Sequence, residues 1–355
     1  MTRRTNDRRF GVAPNRLVGH LAALRSPDCS LHWFVERSKR VKMARSSLTF
    51  SLLVASVALF AAAGLVDGAR FQGTIDWSRV RPLSEFPHIA ARVDQLKKVQ
   101  LDEGFKAPSA RIVGGSIATA GQIPYQVAIL SDLEAGQALC GGVLLSNNFV
   151  LTAGVCVENT SGGVVVLGAL NLQNEAEAGQ VRITFAAGDV RLHEEFLAVI
   201  FRNNIAAIRL SEPVSFSDRI QPVRIPAAAD GRTFAGALAT VSGFGRTSDS
   251  STSFSDVLRY VRNPIMTNAD CFATAWGGLI DGQKMCLHYM EARAPCDGDV
   301  GGPMTVADGG STLLVGLYSF GSVLGCESDW PAVFVRITFY RQWIVANTDV
   351  TQAGL

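Results

Sequence analysis

The sequence predicts an all-β fold for the part of the chain that follows residue 111. Short runs rich in β-branched and aromatic residues alternate there with Gly, Asn, Asp, Ser and Pro, which is typical of a sandwich or barrel rather than of βαβ units. Only one long helix is indicated, Thr338–Asn347, with Tyr340, Trp343, Ile344 and also Phe339 placed toward the core. The predicted strands are Gln126–Leu130, Gly142–Ser146, Val164–Leu167, Val181–Phe185, Leu238–Ser242, Leu313–Ser319 and Ala332–Ile337.

Composition supports a folded protein and argues against a nucleic-acid partner. Of the 355 residues, 48% are hydrophobic and 18% are charged, which suits one large or two modest domains with a real core. Residues 112–355 hold fourteen Lys and Arg against twenty-two Asp and Glu, a net charge of −8. An acidic domain lacks the basic surface that binds a phosphate backbone, so we expect no nucleic-acid binding.

The cysteines indicate an oxidising compartment. Six of the seven lie between Cys140 and Cys326, an even number that is consistent with three disulfides. Disulfides persist outside the cytosol. Cys29 is the odd cysteine and lies in the N-terminal extension.

An apolar stretch from Leu48 to Val66 precedes these cysteines and follows Met43 and Arg45. Residues 43–68 therefore form a complete signal peptide, which predicts a secreted, extracellular protein. Residues 1–42 carry ten Lys and Arg against three Asp and Glu. Two interpretations remain for them: translation starts at Met43, or the segment is the basic cytoplasmic tail of a signal anchor.

Residues 69–111 predict a linker or pro-segment. They are polar and charged, contain no cysteine and show little periodicity. The stretch Asp94–Asp102 predicts one short amphipathic helix.

Four short segments carry the most specific signal in the chain. They are Arg111–Gly115 (RIVGG), Leu151–Cys156 (LTAGVC), Asn203–Ile208 (NNIAAI) and Cys296–Pro303 (CDGDVGGP), followed by Ser319–Gly321 and Cys326. In this order and spacing they resemble the chymotrypsin/trypsin (S1) family of serine proteases over about residues 111–348. The stretch from Ser319 to Glu327 further resembles the brachyurin-like chymotrypsins of arthropods.

The resemblance implies a specific architecture. We expect two antiparallel six-stranded β-barrels, at about residues 112–225 and 226–340, with a cleft between them and a C-terminal helix over 338–347. It also implies three disulfides, Cys140–Cys156, Cys271–Cys286 and Cys296–Cys326.

The same resemblance implies that the catalytic triad is lost. Val155 stands at the histidine position, Asn204 at the aspartate position and Val300 at the serine position. Valine has neither a nucleophilic atom nor a titratable proton, so two of the three triad roles are absent. His193 and His288 are expected to be a loop residue and a packing residue, because a general base must lie within hydrogen-bond reach of its nucleophile.

Other functional positions are retained. Cleavage between Arg111 and Ile112 would free an amine whose expected partner is Asp299, and the Gly298 and Val300 amides could form an oxyanion hole. Either these features still form a switch, or they remain because barrel packing needs them. Asp297 is expected to be a solvated residue at the cleft rim.

The cleft is expected to bind a protein or peptide. The resemblance assigns the substrate pocket to Ala294, Ser319, Phe320, Gly321 and Ala332. None of these is charged, so the pocket favours an apolar side chain. A strand edge at Ser319–Gly321 would pair with an extended ligand.

Three smaller expectations concern glycosylation, metal or cofactor binding, and oligomeric state. Asn159 begins an N-glycosylation sequon. Asn171, Asn174, Glu175 and Glu177 do not match the calcium-loop spacing of some relatives, so we expect neither a metal nor a cofactor. We also expect a monomer.

The sequence thus favours a secreted, catalytically inactive serine protease homolog that acts by binding. It would serve as a cofactor, decoy or regulator in an extracellular proteolytic cascade, with a trypsin-like protease cutting after Arg111. Two alternatives remain open: an active serine-type endopeptidase, and a signal-anchored membrane regulator.

Overall fold

A computed structural model of the chain describes residues 70–71, 73–102, 115–290 and 293–351. The basic extension, the predicted signal peptide and the cleavage pair Arg111 and Ile112 lie outside the described residues. None of the helices in the described ranges is long and apolar enough to cross a membrane.

The N-terminal part of the described chain contains the strands β1 (Val80–Arg81) and β2 (Ser116–Ile117), helix α1 (Pro87–Asp102) and two 3₁₀ turns, Trp77–Arg79 and Leu83–Glu85. Helix α1 begins seven residues before the predicted short helix at Asp94, so that prediction was wrong at its start. Proline suits the first helical position, where its missing N–H is not needed. Residues 88–102 contain neither glycine nor proline to interrupt the helix.

The first sheet is formed by seven antiparallel strands in the order β7-β6-β3-β4-β5-β9-β8. These strands are β3 (Gln126–Leu133), β4 (Gly136–Leu144), β5 (Phe149–Thr152), β6 (Gly162–Leu167), β7 (Val181–Ala186), β8 (Val190–Leu192) and β9 (Ala206–Arg209). Strand β1 lies beside β4 and runs parallel to it, with Val80 opposite Gln137 and Arg81 opposite Ala138.

The second sheet has the order β12-β15-β14-β13-β10-β11-β2 and is also antiparallel. Its later strands are β10 (Leu238–Gly243), β11 (Arg259–Pro264), β12 (Lys284–Leu287), β13 (Pro303–Asp308), β14 (Ser311–Phe320) and β15 (Ala332–Arg336). Strand β2 therefore belongs to the second sheet although it precedes the first sheet in sequence.

The predicted all-β architecture of two curled sheets is confirmed. Each sheet has seven antiparallel strands where six were expected, because the three-residue β8 and the two-residue β2 extend the sheet edges. Strand β4 ends at Leu144, two residues before the predicted end at Ser146. The Ser146 hydroxyl instead accepts the N–H groups of Asn148 and Phe149 and closes the turn to β5.

Strand β3 shows why these runs are almost continuously apolar. Val127 and Ile129 contribute to one hydrophobic cluster, whereas Ala128 and Leu130 on the opposite face contribute to another. All four are at most 1% exposed. A strand that is buried on both faces loses the alternation of apolar and polar residues.

The remaining helices are α2 (Asn268–Cys271) and α3 (Ile337–Asn347). In α3 the predicted core residues Tyr340 and Ile344 are buried and Trp343 is half-buried. Phe339 is 53% exposed, so its predicted place in the core is wrong. The structure contains the three disulfides Cys140–Cys156, Cys271–Cys286 and Cys296–Cys326.

Backbone hydrogen bonds join the two sheets where the cleft lies. The Gly141 N–H on β4 donates to the Val300 carbonyl, and the Gly301 N–H donates to the Tyr318 carbonyl on β14, both at 2.7 Å. Gly301 has a φ of +85° and faces Gly141 and Thr152 so closely that a Cβ would lie 2.5 Å from the Gly141 oxygen.

We expect Gly301→Ala to destabilise the protein by about 2 kcal/mol or more, because the methyl group adds overlap to an unfavourable φ. The measurement is denaturant unfolding. Gly188→Ala is the matched control, since a Cβ there has no neighbour within 4 Å, and its effect should stay within about 0.5 kcal/mol. Equal stabilities of the two variants would contradict the assignment of Gly301 to the junction.

Candidate functional site

Strand pairing brings together Val155 and Asn204, the first two positions at which the resemblance places the triad. Val155 lies in a single helical turn, Gly154–Cys156, that follows β5, and Asn204 lies just before β9. The pairing of β5 with β9 places Thr152 opposite Ala206. As a result, the Val155 N–H donates a 2.9 Å hydrogen bond to Asn204 Oδ1.

The Asn204 side chain has a structural role in this arrangement. It is 1% exposed, and its Nδ2 donates to the Ser319 hydroxyl at 2.8 Å. One oxygen thus accepts an N–H while one nitrogen donates to a hydroxyl. An amide meets both demands without placing a charge in the core.

The third degenerate position completes an apolar floor. Val300 lies in the turn before β13 and packs, half-buried, against the cluster that contains Val155. Val155 is 2% exposed. Both valines line one cleft together with the residues of the predicted pocket. The structure therefore brings the three positions together but supplies no acid, base or nucleophile at them.

Neither histidine of the domain lies at this cleft. His193 stacks on Trp343 with ring centroids 5.4 Å apart and accepts the Glu195 N–H, which is the expected loop role. His288 is exposed, so its prediction as a packing residue is wrong. The chain turns outward directly after the buried strand β12, which ends at Leu287.

The predicted oxyanion amides lie in a tight loop. Gly298 has a φ of +97°, and the Asp299 N–H donates to the Cys296 carbonyl at 3.0 Å. Within the described ranges, the Gly298 and Val300 N–H groups have no hydrogen-bond acceptor assigned. Val300 lines the cleft, whereas Gly298 is buried and does not line it.

The cleft has a volume of about 330 Å³, and all five predicted pocket residues line it. Ala294, Ala332 and Phe320 are at most 7% exposed and give it an apolar wall. Sequence reasoning did not identify Trp330 and Phe201, which lie in the same wall. Phe201 lies two residues before the Asn203–Ile208 segment and Trp330 four residues after Cys326, but neither belongs to a segment that carries the resemblance.

Residues of the predicted pro-segment also line the cleft, which the sequence did not indicate. Leu83, Ser84, Ile89 and Val93 contribute to its lining. Ser84 Oγ lies 3.2 Å from Asp297 Oδ2, so Asp297 is half-buried rather than solvated as expected. Burial raises the pKa of Asp297, and the nearby Arg246 opposes that rise.

The expectations about glycosylation and metal binding concern residues that the structure describes. Asn159 is exposed, as a glycosylation acceptor must be, and glycosylation stays a prediction. Glu175 forms an ion pair with Arg182, and Glu177 with Arg219. These two carboxylates are thus engaged by guanidinium groups.

Asp299 is the titratable group with the most unusual environment near the site. Its carboxylate accepts the Gly245 N–H at 2.7 Å and the Cys296 N–H at 2.9 Å. A Cβ on Gly245 would lie 2.6 Å from the carboxylate, so glycine makes this approach possible. Burial raises the pKa of Asp299 to about 6, against these two hydrogen bonds. No basic side chain of the described residues forms an ion pair with it.

The raised pKa predicts how stability depends on pH. Between the unfolded and folded pKa values of Asp299, the folded state binds more protons than the unfolded state. The contribution of Asp299 to the free energy of unfolding therefore falls by about 1–3 kcal/mol as pH rises from about 4 to about 6. In protein cleaved after Arg111, the Ile112 ammonium would lower the pKa of Asp299 and abolish this loss of stability with rising pH. The measurement is unfolding free energy at about pH 4 and about pH 7 for cleaved protein and for Arg111→Gln, both carrying Asp297→Asn. Identical pH dependence in the two samples would exclude the predicted pairing.

Comparison with known proteins agrees with this geometry. The trypsin family model matches residues 112–344. A brachyurin from Leptuca pugilator is 38% identical over 240 residues, which cover 68% of this chain and 100% of the relative. A collagenase from Hypoderma lineatum is 33% identical over 249 residues, which cover 69% of this chain and 90% of the relative.

A solved structure supports the same assignment. A collagenase structure is similar with a TM-score of 0.61 and 33% identity, and the match covers 67% of this chain and 99% of that one. The chain belongs to the trypsin family of chymotrypsin-like S1 serine proteases.

Proposed function

We propose that this protein is a secreted, catalytically inactive member of the family that acts by binding a protein or peptide in its cleft. The observation that carries the proposal is the apolar floor at Val155 and Val300. Acyl transfer requires a nucleophile and a base that accepts its proton, and valine supplies neither. The Asn204 amide is engaged by Val155 and Ser319 and has no imidazole to orient.

What remains is suited to recognition. The five uncharged pocket residues and the valine floor form an apolar surface beside a few polar and charged groups, among them Arg246 and Asp297, as ligand sites generally do. Three disulfides support an extracellular location. A cofactor, decoy or regulator in an extracellular proteolytic cascade fits these features, with cleavage after Arg111 as its control point.

The competing function is proteolysis, which the names of the relatives would suggest. Binding and backbone amides alone leave an acceleration of about 10³–10⁴ over water when triad members are removed. This remaining acceleration is far below what an endopeptidase needs.

The first test is covalent labelling of the purified secreted protein after cleavage at Arg111. We expect no labelling by a fluorophosphonate, which requires an activated serine hydroxyl, and no hydrolysis of chymotrypsin-type peptides above background. An active chymotrypsin serves as the positive control. Labelling of the cleaved protein would overturn the proposal in favour of an active endopeptidase.

The second test restores the three side chains. We expect Val155→His, Asn204→Asp and Val300→Ser in combination to produce fluorophosphonate labelling and peptide hydrolysis at least about a hundredfold above the cleaved parent, because general-base catalysis contributes about that much or more. The variant with Val155→His and Asn204→Asp alone is the control and should stay unlabelled. A folded triple variant without labelling would show that more than three side chains separate this site from an active one.

A further inference from the structure

Side chains between Leu83 and Val93 line the cleft that carries the proposed function. Leu83, Phe86 and Ile89 are 6%, 1% and 4% exposed. They belong to the same hydrophobic cluster as Val155 and Phe201. The spacing of three residues places these side chains along one side of the turn and helix that begin at Leu83. Val93 continues this side into the cleft.

Polar contacts fix this segment on both sides of the apolar side chains. The Arg246 guanidinium lies 3.2 Å from the Glu85 carboxylate. Arg92 donates two hydrogen bonds to Glu158, at 2.6 and 3.0 Å, and the two side chains are 16% and 18% exposed. A bidentate guanidinium–carboxylate pair adds geometric specificity to the contact. Together with Ser84 and Asp297, these pairs set the position of the helix along the cleft.

The part before the helix runs beside the first sheet through the short strand β1, which lies between two 3₁₀ turns, Trp77–Arg79 and Leu83–Glu85. Val80 and Arg81 form β1 beside β4, and the Ile75 N–H donates to Glu175 at 3.1 Å. Arg81 also donates to the Ala135 carbonyl, and its guanidinium lies 5.4 Å from the centre of the Phe86 ring. The segment thus combines strand addition with a helix in a groove, two recurring modes of peptide recognition.

No covalent bond would hold this segment after cleavage at Arg111. Residues 69–111 contain no cysteine, and the six cysteines of the domain pair with one another. Before cleavage the segment is part of the same chain, so its effective concentration at the cleft is in the millimolar range or above. After cleavage it binds as a separate peptide and can be replaced.

We propose that residues 70–102 are a built-in ligand of the degenerate cleft, which keeps it closed until cleavage. The partner that takes its place is a protein segment of the same form: a short extended stretch followed by an amphipathic helix, with apolar side chains at the spacing of Leu83, Phe86, Ile89 and Val93. This inference rests on the proposed binding function, and it names the chemistry of the ligand and the step that exposes the site.

The test uses a fluorescent synthetic peptide that spans residues 70–102, added in excess to the secreted protein. We expect it to bind the cleaved protein at least about a hundredfold more tightly than Arg111→Gln, because the tethered segment excludes it from the uncleaved chain. Fluorescence anisotropy gives both affinities. Equal binding to the two proteins, or no binding to folded cleaved protein, would overturn the proposal.

Two altered peptides test the mode of binding. Leu83→Ala, Phe86→Ala and Ile89→Ala in one peptide should weaken binding at least about thirtyfold, since buried anchors dominate such interfaces. The control peptide carries Lys97→Ala and Lys98→Ala, two exposed positions of α1, and should bind within about twofold of the parent. Equal losses in both peptides would also count against the proposal.

Hydrogen exchange on the unaltered secreted protein provides a measurement that needs no variant. We expect the amides of α1 to exchange at least about tenfold faster after cleavage in dilute solution, because the freed segment dissociates. Unchanged exchange would contradict the release step.

These outcomes separate the inference from the proposed function. Cleaved protein that resists fluorophosphonate yet does not bind the peptide would refute the built-in ligand and leave the inactive homolog standing. Labelled protein would refute the inactive homolog whatever the peptide does.

Discussion

The site depends on the backbone junction between the two sheets. The Gly141 N–H bonds to the Val300 carbonyl and the Gly301 N–H to the Tyr318 carbonyl, so the loop that contains Val300 is held by main-chain atoms. Main-chain hydrogen bonds are indifferent to the side chain at position 300. Valine can therefore occupy that position while main-chain hydrogen bonds keep the loop conformation.

The buried position of Asn204 favours an amide over a carboxylate. An aspartate there would be a buried charge whose natural partner, an imidazole, is absent, and an unpaired buried charge is costly. The amide accepts the Val155 N–H and donates to the Ser319 hydroxyl without carrying a charge. An asparagine at this position therefore avoids the cost of a buried, unpaired carboxylate.

Much of the fold could be predicted from the sequence, because strand composition and the family motifs are local signals. The pairing of the cysteines followed from the resemblance, and the structure contains it. The N-terminal segment was less predictable, since Leu83, Phe86 and Ile89 bury their side chains against residues far away in the chain. Their three-residue spacing was a usable signal, but nothing local indicated which surface they cover. The prediction that Phe339 lies in the core was wrong because this apolar residue occupies an exposed position on α3.

The pairing of β1 with β4 has a consequence for the protein's behaviour in solution. At Gln137 and Ala138 this side of β4 is covered only by Val80 and Arg81 among the described residues. An uncovered strand edge next to an apolar groove is a template for self-association. A chain that has lost its N-terminal segment would therefore expose an adhesive surface. Release of the segment would thus link solubility to partner binding, because both would depend on what covers that edge.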